Sequence, residues 1–325
     1  MRAAVLTQRG IEVRDVPKPV PGPDQVLVKV RAAGLNRADL IMVSGRMHGN
    51  AGGPGTVLGL EFAGEVEAVG RGVEGFRPGE RVMCSGNGGY GEFAVTDWGR
   101  VAPIPANNMS YEQAATLPVA LQTMHNALVT AGRLKGAESV LIQGASSGVG
   151  LMGLQIAKFG GARLVMGTST NPARRQRLAE FGADLAIDTT DPAWADAVLA
   201  ATGGRGVDLI VDQVSGKVAN ENLRAAAIMG RIVNVGRLGG FRGEFDFDLH
   251  ALKRIDYIGV TFRTRSLEEV REINRAMRAD LWEAVEAGKL ALPIDRTFPL
   301  EQIAEALALM RANKHFGKIV VTVRP

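Results

Sequence analysis

The stretch "VLIQGASSGVG", residues 140–150, restricts the fold more than any other part of the chain. Val140, Leu141 and Ile142 read as a buried strand, and the residues from 148 onward, "GVGLMGLQIAKFG", have the apolar spacing of a helix. Small residues between the two bring the backbone close to something that side chains would exclude. Such a turn is also a packing device in α/β proteins, so its meaning depends on its surroundings. These are strand "RLVMGT", helix "PARRQRLAEFG", strand "DLAID", helix "PAWADAVLAATG", strand "VDLIVDQV", helix "KVANENLRAAAIM" and strand "GRIVNVG", with "RIDYIGVTF" as one further strand. Short apolar strands alternating with helices predict a doubly wound parallel sheet. In that setting the turn reads as the phosphate cradle of a dinucleotide. Gly148 lets a pyrophosphate approach the backbone, and Gly150 lets the helix pack tightly on the strand. Ser146, Ser147 and Val149 complete the cradle, with hydroxyls and amides at the positive start of the helix.

The first third of the chain has a different character. "QVLVKVRAAGL", "EFAGEVEAVG" and "GEFAVT" are strand-like runs bounded by glycine or proline, which predicts a small, mainly β domain. "HGNAGGPG", residues 48–55, reads as a mobile surface loop. The change comes at Ser110, which caps a helical pattern, "SYEQAATLPVALQTMHNAL", that Pro118 should interrupt. Two helices, "EVREINRAMRADLWEAVEAG" and "LEQIAEALALMRAN", and a last strand, "GKIVVTV", close the chain. A length of 325 residues suits two cores better than one. The single cysteine, Cys84, rules out an intramolecular disulfide and any cysteine-cluster metal site. A net charge of +4 without lysines interleaved with aromatics argues against nucleic acid as a partner. The N-terminus lacks the apolar core of a signal peptide, and no apolar run reaches the ~20 residues of a membrane span. A cytoplasmic enzyme acting on a small molecule, with no membrane partner, is the expectation.

The second strand of this sheet indicates which dinucleotide. An NAD site usually places Asp or Glu at its end to grip the ribose hydroxyls. Here the strand ends in Gly167, Thr168, Ser169 and Thr170, and Arg174 and Arg175 follow. A 2′-phosphate repels a carboxylate and welcomes hydroxyls and guanidinium. NADPH is therefore the expected cofactor, with at least one of the two arginines on a solvated helix face.

Together with "GLNRADL", "LGLEFAGEVEAVG", "RPGERV", "GVTFRTRS" and "MRANKHFGKIVVTV", these features resemble the medium-chain dehydrogenase/reductase superfamily. Within it the resemblance is to the zinc-independent quinone oxidoreductases related to zeta-crystallin, over essentially the whole chain. The resemblance implies an α/β fold of two domains. One is a GroES-like, mainly β catalytic domain of residues 1–122 and 262–325; the other is a Rossmann domain with a doubly wound parallel sheet, residues 123–261, that binds NADPH. It also implies a homodimer formed through the edge strand that "IDYIGVTF" matches.

The resemblance implies roles residue by residue. Asn36 matches a residue near the nicotinamide and substrate, where its amide can donate to a developing oxyanion, although a turn residue bonded to the backbone fits it as well. Asp39 matches a residue that supports this position. Thr123 matches a hydroxyl residue of the cofactor cleft, with core packing as the other reading. Arg174 matches a basic residue that meets the 2′-phosphate, and Thr170 a hydroxyl residue beside it. Val214 and Gly236 end two parallel strands, where open sheets bind ligands. Phe262 and Arg263 match a loop that returns to the nicotinamide, while Asn313 and Gly317 match a tail that closes over the cofactor.

Zinc, used by the related alcohol dehydrogenases, lacks its ligands. Asn36 stands where the cysteine would be and Leu60 where the histidine would be, and neither supplies thiolate or imidazole. His48, His125, His250 and His315 are scattered without ligand spacing. Without a Lewis acid, hydride transfer suits an easily reduced, conjugated acceptor, a quinone or an activated alkene. Three positions depart from the family pattern. Met47 replaces a substrate-facing tyrosine, Thr189 a tyrosine beside the phosphorylated ribose, and Ser147 a glycine of the phosphate turn. Loss of the tyrosine removes the proton donor expected of an enoyl reductase. Three functions stay open: an NADPH-dependent quinone reductase, an NADPH-dependent enoyl or enone reductase, and a non-enzymatic NADPH-binding protein.

Overall fold

A computed structural model describes residues 1–49 and 51–323. The chain divides into two compact units, Met1–Val119 with Phe262–Pro325, and Ala120–Thr261.

The unit Ala120–Thr261 is built on six parallel strands, in the order Leu185–Ile187, Leu164–Thr168, Ser139–Gln143, Val207–Asp212, Ala226–Asn234, Asp256–Gly259. The first of these six strands in chain order, Ser139–Gln143, is central and buried throughout, and the strand order reverses beside it. This is the Rossmann arrangement, whose ligand crevice lies at the carboxyl ends of the strands at that reversal. Helix Gly148–Phe159 packs back on the sheet through Leu151, Met152, Leu154 and Ile156, all buried.

Two helices differ from expectation. "PARRQRLAEFG" is one short helix, Pro172–Gln176, followed by a tighter 3-10 turn, Leu178–Phe181. That turn brings Leu178 against Gly167, where a methyl would already stand 3.2 Å from the leucine. "KVANENLRAAAIM" forms a helix only over Ala219–Ala225, because Ala226 pairs with Val207 and begins the next strand. Lys253 Nζ ends that helix by donating to the carbonyls of Leu223, Arg224 and Ala226 at 2.6–2.9 Å.

In the other unit, strands Ile294–Pro299, Lys318–Thr322, Gln25–Gly34, Glu61–Val69, Arg81–Ser85 and Val101–Pro103 form one sheet, with Phe93–Asp97 also on Gln25–Gly34. A two-stranded ribbon, Arg2–Thr7 and Gly10–Asp15, accompanies it. The C-terminal strand lies antiparallel to Gln25–Gly34 with Val320 opposite Gly34. This register carries the end of the chain to the residues that follow Gly34. Ser110 caps helix Tyr111–Ala114 reciprocally with Gln113, and Pro118 opens a new helix, Pro118–His125, which widens into a π turn, Asn126–Ala131. In the glycine-rich loop His48 bridges to Ala51, which is buried; Asn50 lies outside the described residues. No helix among the described residues is long and apolar enough to cross a membrane.

Candidate functional site

The five expected cradle residues run from the turn after strand Ser139–Gln143, which holds Ser146 and Ser147, into the first turn of helix Gly148–Phe159, which holds Gly148, Val149 and Gly150. Gly150 has a steric reason: a methyl there would stand 2.7 Å from Ala145 Cα and 2.7 Å from the Gly144 carbonyl. Ser147 has a structural role that its expected one did not include. Its hydroxyl accepts from the Gly150 amide at 3.0 Å and donates to Gly144 O or Gln213 Oε1, each at 3.1 Å. That makes it the N-cap of the helix, with its hydroxyl already engaged. Leu151 N bonds Ser147 O, so the amides of Gly148 and Val149 remain as the donors this helix start offers an anion. The Ser146 hydroxyl lies 3.1 Å from that of Ser169, at the end of the second strand.

Thr170 is exposed beyond that strand, and Arg174 is half-buried in the short helix, its amide on Asn171 Oδ1 at 3.0 Å. Arg175 is held more firmly than expected. Its guanidinium donates to Ser169 O at 2.9 Å and pairs with Asp188 at 2.9 Å. Asp188 is kept below the usual carboxylate range by hydrogen bonds from Thr190, with Arg175 contributing. Val214 and Gly236, expected to end two strands, each lie two residues beyond one, Val207–Asp212 and Ala226–Asn234, and a methyl on Gly236 would meet Gln213 O at 2.6 Å.

Beneath this edge runs a buried chain of polar side chains that sequence reading missed. Thr168 Oγ1 donates to Gln143 Oε1 (2.8 Å), Gln143 Nε2 to Asn222 Oδ1 (2.8 Å), and Asn222 Nδ2 to Asp212 Oδ2 (2.9 Å). Asp212 also accepts the amides of Val214 and Ser215 at 2.7 and 2.9 Å. Burial pushes its carboxyl up, against these hydrogen bonds. The network ties the carboxyl ends of three strands to Gly144, whose amide bonds Thr168 Oγ1 at 3.0 Å.

In the other unit Asn36 starts helix Arg37–Val43 and sits in a second buried network with Asp39, Glu61, Tyr90 and Lys318. Asn36 Nδ2 donates to Glu61 Oε1 at 2.9 Å and faces Gly34 O at 3.4 Å, while Lys318 Nζ donates to Asn36 Oδ1 at 3.2 Å. Lys318 also donates to Leu35 O at 2.8 Å and to Glu61 Oε1. Asp39 Oδ2 accepts from the Asn36 amide at 2.7 Å and the Tyr90 hydroxyl at 2.6 Å. Its other oxygen is buried without a hydrogen-bond partner. Burial raises the Asp39 carboxyl to about 6, with Glu61 adding to the rise and Tyr90, the Asn36 amide and Lys318 opposing it. Burial and the neighbouring Asp39 push the Tyr90 phenol up. Asn36 thus has donors already in use, which the expectation of a waiting amide did not include. Glu61 and Lys318 escaped sequence reading; their only signal was a charge inside an apolar strand, which Glu65 and Glu67 share.

Asn313, with φ of 52°, accepts from Arg37 beside Asn36, and Gly317, at φ of 81°, would clash with Pro293 O at 2.4 Å if it carried a methyl. Phe262 is half-buried, and Arg263 is exposed with its carbonyl 3.1 Å from a methyl placed on Gly49. Thr123 is half-buried in the helix Pro118–His125.

A GroES-like β unit joined in one chain to a Rossmann sheet with a glycine cradle defines an oxidoreductase that uses a nicotinamide dinucleotide. Residues 22–106 match the alcohol dehydrogenase GroES-like domain family and residues 181–321 the zinc-binding dehydrogenase family. The quinone oxidoreductase of Rattus norvegicus is 31% identical over 310 residues, covering 94% of this chain and 92% of that protein. A phenolphthiocerol/phthiocerol polyketide synthase polypeptide of Mycobacterium tuberculosis is 32% identical over 313 residues, 96% of this chain, which spans 14% of that protein's length. The crystal structure of CurK enoyl reductase superposes with a TM-score of 0.86 at 26% identity, covering 99% of both chains. The chain belongs to the medium-chain dehydrogenase/reductase superfamily, in its quinone oxidoreductase branch.

Proposed function

We propose that this protein is a cytoplasmic NADPH-dependent reductase of a quinone or similar conjugated acceptor, working without zinc. The observation that carries the reading is the state of position 36. An amide stands there, and the adjacent carboxylate of Glu61 is paired with the Lys318 ammonium. Asn36, Leu60 and a carboxylate already neutralised by a cation do not make a zinc site, whatever the matched family is called. Among the described residues no group of three or more His, Cys, Asp or Glu is placed to hold a metal.

The cofactor supplies hydride when bound. Its pyrophosphate would be held by the amides of Gly148 and Val149, with Ser146 beside them and Ser147 holding the helix start in shape. Arg174 and Thr170 would meet the 2′-phosphate, and the absence of a carboxylate at the end of the second strand favours it. Thr123, Val214, Gly236, Phe262, Arg263, Asn313 and Gly317 would line or close the remainder. Residues 123–261 would form the NADPH-binding domain, and residues 1–122 with 262–325 the catalytic one. Asn36 orients the acceptor and donates to the oxygen on which negative charge develops, and solvent protonates the product. The edge position of strand Asp256–Gly259 supports a homodimer through that strand.

Similarity to CurK enoyl reductase favours a second reading, reduction of an enoyl or enone double bond. Met47, 54% exposed at the position where the family resemblance implies a proton-donating tyrosine, counts against it. NADPH consumption measured against a panel of quinones and enones tests both. Turnover of quinones supports the proposal, turnover of enones alone replaces it with the second reading, and turnover of neither leaves an NADPH-binding protein.

A further inference from the structure

Asn36 is gripped from both ends of its amide. A lysine ammonium has only donors and a carboxylate only acceptors, so Lys318 on Oδ1 and Glu61 on Nδ2 dictate which way the amide faces. The ammonium on Oδ1 draws charge onto the amide oxygen, which strengthens the N–H groups as donors, while Glu61 occupies one of them and leaves the other to be aimed. That N–H faces Gly34 O at 3.4 Å, the longest contact in the cluster and the easiest to exchange. Glu61 is itself fixed, its second oxygen accepting the Val119 amide at 2.9 Å. Gly34 makes room for this arrangement, since a methyl there would stand 2.7 Å from Glu61 Oε1 and 2.4 Å from Ala115 O. A buried ion pair contributes little net stability compared with apolar replacements of equal volume, so stability alone gives it no reason to be here.

We propose that Lys318, through its contact with Asn36 Oδ1 and its ion pair with Glu61, is a positioning residue that orients and polarises the Asn36 amide for the acceptor's oxygen. This rests on Asn36 being the group that meets the acceptor. Lys318 is buried behind Asn36 and acts only through it.

The test is a mutant cycle on the full-length protein, reading kcat, acceptor KM and NADPH Kd separately. The double variant K318M/E61Q removes the pair without stranding a buried charge, and the amide oxygen introduced at position 61 still accepts from Asn36. It should lower kcat about tenfold while KM and Kd stay within about twofold, the pattern of an interaction made in the transition state. K318R keeps a cation on Oδ1 and should recover most of the loss. N36A alone should lower kcat by ~100-fold or more, and adding K318M/E61Q to it should lower kcat no further. An equal loss with and without Asn36, or no loss in the double variant, would overturn the proposal. An unchanged kcat in N36A would overturn the reading of Asn36 instead, so the two failures are distinct. If K318M/E61Q does not fold, K318R decides: recovery of at least a third of wild-type kcat supports the proposal, and a tenfold loss with an intact fold refutes it.

Discussion

Asp39 should make the protein less stable as pH rises through the mildly acidic range, and Asp39→Asn should remove that dependence. The folded carboxyl titrates near 6 against an ordinary value of 3.8, chiefly because it is buried. The folded state therefore holds its proton more tightly than the unfolded state, and stability falls between those two values. A difference of about two units is worth roughly 3 kcal/mol in all, at 1.36 kcal/mol per unit. The full benefit is present below the unfolded value and gone above the folded one. Between pH 4.5 and 7.5 the titration covers roughly 2 kcal/mol of it. In the variant the side-chain oxygen at position 39 would still accept from the Asn36 amide and the Tyr90 hydroxyl, and the buried NH2 group adds a cost that does not change with pH. The quantity to measure is the stability difference between wild type and Asp39→Asn, from urea unfolding at both pH values. That difference should move by roughly 2 kcal/mol in favour of the variant at pH 7.5. Parallel stability curves would show that Asp39 titrates alike in the folded and unfolded chain, and the account of its burial would fail.

Gly148→Val should abolish NADPH binding, measured by fluorescence titration, while the thermal midpoint changes little; unaltered affinity would put the phosphate site elsewhere. Arg174→Ala should weaken NADPH roughly tenfold to a hundredfold and leave NADH nearly unaffected, and added salt should shrink the preference. Arg175→Ala should cost less selectivity, because Asp188 already meets that charge; the kcat/KM ratio for the two cofactors in each variant decides. Purified protein should contain no stoichiometric zinc by elemental analysis and keep its activity in a strong chelator; about one metal per chain, with activity lost on chelation, would refute the zinc-free mechanism.

The parts legible in the sequence are those fixed by neighbours in the chain. Strand–helix alternation predicts the parallel sheet, and glycine at 150 follows from a helix start pressed against the turn that leads into it. The Ser110–Gln113 capping box and the break at Pro118 are likewise matters of a few consecutive residues. The absence of a thiolate at 36 and an imidazole at 60 needs no coordinates at all. What only the tertiary structure decides is which groups meet across long separations. Lys318 and Asn36 stand 282 residues apart, and only the register of the last strand on Gln25–Gly34 brings the ammonium to the amide. The same holds for Gln213 on the Ser147 hydroxyl, for Asp188 on Arg175, and for the strand that claims Ala226 from its helix. Local pattern sets which face of an element is apolar. Whether a polar side chain serves a ligand or the fold depends on the partners that burial puts within hydrogen-bond reach, and those come from strands distant in the chain.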